Sequence, residues 1–164
     1  MSALRLVSLL ALAVWIGGLL VLGGLVAPAV FNVLQAHDAV NGRVLAGSLF
    51  GEILRRFEQW SWCLGAVLLG VLGLRAALTS PPRRIALPAA LIVIMLGMTT
   101  YAGQVIAPRI DAIRSSVPGA VAALADTDPR RVAFGRLHGL STILMALTLL
   151  GGVIVLWTEA RTHD

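Results

Sequence analysis

The chain alternates long apolar runs with short polar stretches, and that alternation predicts its elements. Apolar residues run almost unbroken over about 4–27, 59–78, 85–107 and 132–157. Each run is close to the ~20 residues a helix needs to cross a hydrocarbon core of about 30 Å. The first holds Trp15 and the pairs Gly17-Gly18 and Gly23-Gly24, small residues that let helices approach closely. Pro28 ends this span or kinks it near its end. Asn32 to Asn41 is polar, carries His37 and Asp38, and reads as a connection. Over 42–57 the pattern changes. Ala46, Leu49, Phe50, Ile53, Leu54 and Phe57 fall on one helical face, with Ser48, Glu52, Arg55 and Arg56 opposite. This spacing predicts an amphipathic helix at the membrane surface or folded onto the spans. Trp60 and Trp62 mark the membrane interface at the start of the second span. Thr79-Ser-Pro-Pro-Arg-Arg84 is a rigid basic turn into the third.

The third span turns polar in its second half, with Thr99, Thr100, Tyr101 and Gln104. Ile106, Ile110, Ile113 and Val117 keep a helical spacing beyond it, so the helix continues past the membrane surface until Pro118-Gly119 breaks it. Residues 120–125 form one short helical piece. Asp128 caps the last helix and Pro129 takes its first position. From Pro129 to Trp157 that helix is about 43 Å long. Its first turns, with Arg130, Arg131 and Arg136, must therefore project beyond the core or pack inside protein. The tail from Thr158 is polar, with His163 solvated. A weak repeat is also visible. Val26-Ala-Pro28-Ala-Val30 echoes Ile106-Ala-Pro108-Arg-Ile110 at an offset of 80 residues, and Phe57 echoes Phe134 at 77. Two parallel hairpins related by an axis normal to the membrane produce such a pattern.

Composition narrows the class. Hydrophobic residues make up 58% of the chain and charged residues 13%, against about a quarter in soluble domains. Mean hydropathy is +0.89. The apolar excess has to face lipid, and no separate soluble domain fits. All 13 basic residues are Arg, against 8 acids. They sit at the ends of the apolar runs, where they anchor to headgroups and set topology. Nucleic acid is not an expected partner; the lipid bilayer is. Cys63 is alone in an apolar run, which excludes a disulfide framework and a thiolate metal site. The run from Leu6 to Val26 exceeds the 7–15 residues of a signal-peptide core, so it reads as a retained span. Arg5, Arg75, Arg83, Arg84 and Arg161 share one side, and Arg43, Arg55, Arg56, Arg109, Arg114, Arg130, Arg131 and Arg136 the other. The second set is mixed with acids and the Pro-Pro-Arg-Arg turn reads as unopposed by any. Both termini are therefore expected in the cytoplasm, in a bacterial inner membrane.

Trp15-Ile-Gly-Gly18, the Ala-Pro-x-Val-Phe stretch at 27–31, Ala46-Gly-Ser-Leu-Phe50, Pro108-Arg109 and Phe134-Gly-Arg-Leu-His-Gly-Leu-Ser141 together resemble the family typified by transmembrane protein 205. Its bacterial members are described as a domain of unknown function. The resemblance implies a four-helix integral membrane protein. It brings no catalytic residue set. It implies only that the matching polar positions form a shared site.

The residues point to a polar cap at the end of the molecule holding the 28–58 and 108–131 connections. Glu58, Arg109, Asp111, Arg136, His138 and Ser141 gather there, with Arg114 beside them and Gln104 and Thr100 beneath. Ionisable groups at membrane depth face the protein interior or a wet cavity and find partners. Arg136 with Glu58 and Arg109 with Asp111 are the expected pairs, and His138 an interior, hydrogen-bonded residue. The cap is either a structural ion-pair network or a binding site for an anion or small molecule. Spans 1 to 3 contain no His, which argues against a transmembrane haem arrangement with His37 and His138, so neither metal nor cofactor is expected. Ser141, Ser61 and Cys63 lack a base with an orienting carboxylate, so an enzyme is not expected.

The expected fold is thus all-α, an integral membrane four-helix bundle with an amphipathic interfacial helix between spans 1 and 2, in a single membrane domain over 1–164. Two functions fit it. One is binding or moving a small solute or lipid through the polar site. The other is a non-catalytic scaffold or accessory subunit, partnered by a second copy or by a membrane complex.

Overall fold

The computed structural model describes residues 3–78 and 83–161, without the side chains of residues 83 and 84. Of the turn expected at 79–84, residues 79–82 lie outside the described residues, as does the end of the tail with His163, while Arg83 and Arg84 already belong to the helix that follows. Four long helices carry the fold: α1 (Ala3–His37), α2 (Gly42–Leu78), α3 (Ile85–Ser115) and α4 (Pro129–Arg161). Each is long and apolar enough to cross a membrane. With 31 to 37 residues apiece they extend about 46 to 56 Å. Each therefore outruns a hydrocarbon core of about 30 Å by several turns.

Pro28 does not end the first helix. A five-residue π-helical segment, Leu22–Val26, precedes it, and the Ala27 N–H donates to the Leu22 carbonyl. Proline lacks an N–H and its ring crowds the carbonyl four residues back. One wide turn absorbs both defects, and the helix runs on to His37. The polar stretch from Asn32 is therefore mostly helix, with Val30, Phe31 and Leu34 half-buried. The connection shrinks to 38–41. There the Asp38 carboxylate accepts the Val40 and Asn41 N–H groups at 2.9 Å each, which holds its pKa below the ordinary 3.8. Gly42 follows at a close approach, since a Cβ there would overlap the Leu34 carbonyl.

Residues 42–57 and 59–78 are one continuous helix. Nothing between Arg55 and Trp60 interrupts an i→i−4 ladder, because the junction contains neither Gly nor Pro. In α3 the device of α1 recurs. A π-helical segment, Ala102–Ile106, precedes Pro108, with the Ala107 N–H on the Ala102 carbonyl. The helix stops at Ser115, and Gly119 takes the positive φ of 110° that redirects the chain. A single 3₁₀ turn, Val121–Ala123, leads to α4. Asp128 caps α4 by accepting the Arg130 N–H at 2.8 Å.

The helices pack in a ring, α1 and α3 each against both α2 and α4. The core gathers Leu12, Trp15, Ile16, Leu68, Leu72, Ile92, Met95, Leu96 and Val155. This packing shows the internal repeat directly. The two π segments lie 80 residues apart. Ser8, Leu12, Trp15 and Ile16 are buried on α1, and so are Pro88, Ile92, Met95 and Leu96 at the same offset on α3. On α2 and α4 the offset that matches burial is 87, pairing Ser61 with Thr148, Gly65 with Gly152, Leu68 with Val155 and Leu72 with Glu159. Contacts agree. A Cβ on Gly65 would overlap Leu96, and one on Gly152 would overlap Ile16. The offset of 77 suggested by Phe57 and Phe134 does not hold, because Phe134 lies in the first turns of α4, beneath Arg114.

Candidate functional site

The two halves differ where they should match. In one, Met145 of α4 rests on Gly23 in the first π segment. In the other, the equivalent position of α2 is Glu58, whose carboxylate rests on Gly103 in the second π segment. Glu58 is only 7% exposed. Its one polar partner among the described residues is Gln104, whose Nε2 donates to Oε1 at 3.2 Å. A buried carboxylate held by a single neutral amide is costly to the fold. One turn on, Ser61 is fully buried, its hydroxyl donating to the Phe57 carbonyl at 2.9 Å.

Beyond Pro108, Arg114 ties three helices together. Its Nη1 donates to the Gly47 carbonyl of α2 at 3.0 Å and to Asp111 at 3.4 Å. Its guanidinium lies 5.7 Å from the Phe134 ring centroid on α4. Phe134 in turn stacks on His138, centroids 6.0 Å apart and planes within 7°.

Arg109 and Arg136 form neither expected pair. Asp111 is taken by Arg114 from its own helix, one turn away. Glu58 faces the α3 backbone instead of Arg136. The two arginines instead line one open groove of about 510 Å³ between the end of α3 and the start of α4, with Pro129, Val132, Ala133 and Leu137. Both are exposed, and neither has an acid within ion-pair distance among the described residues. His138 is exposed rather than interior, and Ser141 is half-buried. The helical spacing that puts them on one face turns that face outward. The expected cap thus divides into three parts: Glu58 with Gln104, the Arg114 tie with Asp111, and the Arg109–Arg136 groove.

The opposite end holds a pairing that sequence reasoning missed. Arg75 of α2 donates to both Glu159 oxygens of α4, at 2.9 and 2.8 Å, and Glu159 is only 4% exposed. Arg5 donates to the Ala160 carbonyl at 2.8 Å, and Arg161 lies 4.0 Å over Trp157. The basic end is therefore not free of acid. Glu159, an acid just past a long apolar run, was the readable signal.

A family model described as a domain of unknown function, DUF4149, matches residues 10–117. No curated protein and no solved structure matches the chain.

Proposed function

The chain belongs to the domain-of-unknown-function family DUF4149, and from that premise we propose an integral membrane protein that binds or moves a small anionic solute or lipid, without catalysing a reaction. One observation carries this reading. Arg109 and Arg136 flank a single groove whose remaining walls are apolar, and no acid among the described residues pairs with either. A charge pair over an apolar trough suits an amphiphile with an anionic end. The four helices then form a membrane bundle, with the 42–57 half of α2 at the interface. The resemblance to the family typified by transmembrane protein 205 belongs to this reading. Its Phe134–Ser141 element lies beyond the matched region and borders the groove.

Both termini lie in the cytoplasm of a bacterial inner membrane in this reading, which places Ser115 on the periplasmic side. A cysteine at Ser115 should react with a membrane-impermeant maleimide in intact spheroplasts. Reaction only after lysis would invert the topology. Binding is tested by melting the purified protein in detergent with and without an anionic amphiphile. Wild type should be stabilised, and the double variant Arg109→Gln/Arg136→Gln should not.

A second reading is a scaffold subunit. Gly17 and Gly24 on α1, and Gly70 and Gly73 on α2, have open space where a Cβ would stand. Small residues on an outer face allow a further helix to approach. Cross-linking in membranes from cysteines at Gly70 or Gly73, with melting unaffected by any amphiphile, would favour this reading over binding.

A further inference from the structure

We infer that the Arg109–Arg136 groove seats the headgroup of an anionic phospholipid drawn from the surrounding leaflet. This rests on the binding reading above and names the ligand class.

The first argument is supply of charge. At this end of the molecule, Arg55 and Arg56 both pair with Glu52. Arg114 is held by Asp111 and the Gly47 carbonyl. Arg130 pairs with Asp128, and Arg131 with Asp126 and the Leu124 carbonyl. Arg109 and Arg136 have no such partner among the described residues; neither has Arg43, which does not line the groove. Two arginines from two different helices therefore line one space. An anion with several acceptor oxygens satisfies both forks at once, and a phosphodiester has them.

The second argument is depth. From Arg136 to Trp157 along α4 is about 31 Å, close to one hydrocarbon thickness. Trp157 with Arg161 stacked on it makes an interfacial anchor at one end. Arg136 then stands at the opposite interface. The groove thus lies where phosphate groups of a bilayer lie, and a lipid reaches it without leaving its leaflet.

The third argument is the wall. Val132, Ala133, Leu137 and Pro129 make the rest of the lining. A fully hydrated inorganic anion gains nothing from apolar walls, whereas the glycerol and upper acyl carbons of a lipid bury surface on them. Basic pockets between helices at membrane interfaces recognise acidic headgroups on these terms.

The test is native mass spectrometry of the delipidated full chain in detergent, titrated separately with phosphatidylglycerol, phosphatidylcholine and inorganic phosphate. Phosphatidylglycerol should form one saturable adduct and phosphatidylcholine none at the same concentration. Arg109→Gln and Arg136→Gln should each weaken that adduct about fivefold. Arg161→Gln, at the far end, should leave it unchanged. Arg109→Lys and Arg136→Lys should keep most of the binding, which separates loss of charge from misfolding. Melting without lipid checks the Gln variants independently. Equal retention of the two lipids, or an adduct indifferent to Arg109→Gln/Arg136→Gln, overturns the inference. If phosphate, but not phosphatidylglycerol, binds in an arginine-dependent way, the lipid assignment falls while the anion site stands. If none of the probes binds, both fall.

Discussion

Glu58 meets the backbone of Gly103 where, in the other half of the molecule, Met145 meets Gly23. The two contacts are equivalent under the internal repeat, yet one is ionisable and the other apolar. The apolar version shows what the packing accepts.

Glu58→Met copies the sister contact. It removes a buried carboxylate whose one polar partner among the described residues is a neutral amide, so the unfolding free energy should rise by about 1 kcal/mol or more. Reversible unfolding in detergent measures it. A marked loss of stability would make Glu58 a structural element and remove the reason to look for a role in it.

Gly103→Ala and Gly23→Ala should behave differently although they are equivalent positions. A methyl at 103 overlaps the Glu58 carboxylate, and the variant should cost about 1–3 kcal/mol. A methyl at 23 meets the mobile end of Met145 at 3.0 Å, and the helix gains from replacing Gly, so its cost should be near zero. Adding Glu58→Ala should rescue the first variant and leave the second alone. Equal melting temperatures for the two single variants would contradict the contact.

Arg114→Gln should detach the end of α3 from α2. The lost bond to the Gly47 carbonyl carries charge, so about 1.5–3 kcal/mol should go with it. Hydrogen exchange should speed up over 107–117 and at the start of α4, where Phe134 loses its cation. An exchange increase confined to Arg114 itself would show that the tie is ornamental.

Acid should loosen the start of α4. Bonds from the Arg130 side chain and N–H hold the Asp128 pKa at about 2, below the ordinary 3.8. A depressed carboxylate stabilises the folded form above its ordinary pKa, and that contribution fades as pH falls from about 4 through about 2. The Arg130 amide signal should follow that titration by NMR. Asp128→Asn should flatten the response, and an unchanged profile in that variant would assign it to another group.

Periodicity and composition alone predicted a helical chain with four runs long and apolar enough to cross a membrane, which the structure contains. Four runs of the right length, few charges and Arg at their ends carry that pattern. The break around Pro118-Gly119, with the helix already ended at Ser115, and the cap at Asp128-Pro129 were equally legible, because both depend on backbone chemistry of single residues. The continuity of α1 through Pro28 was not. A π segment is a cooperative adjustment of a whole turn, and a proline in the sequence signals the defect rather than its repair. Nor was the junction of 42–57 with 59–78, since a change of hydrophobic face does not by itself interrupt a helix.

Of the cap, the sequence identified which residues were chemically unusual, and the tertiary structure decided their partners. Arg136 and Glu58 are near enough in pattern to invite pairing, but the facing of α2 points Glu58 at Gly103. Asp111 lies one turn from Arg114 on the same helix, which leaves Arg109 without it. The repeat was visible at Pro28 and Pro108 because that element is local. The 87-residue register of α2 and α4 needed the packed structure, because a few scattered matches such as Gly65 with Gly152 and Ser61 with Thr148 stand beside unlike pairs such as Leu72 with Glu159, and only their shared burial aligns them. Residues of similar volume can fill equivalent holes with little resemblance in sequence.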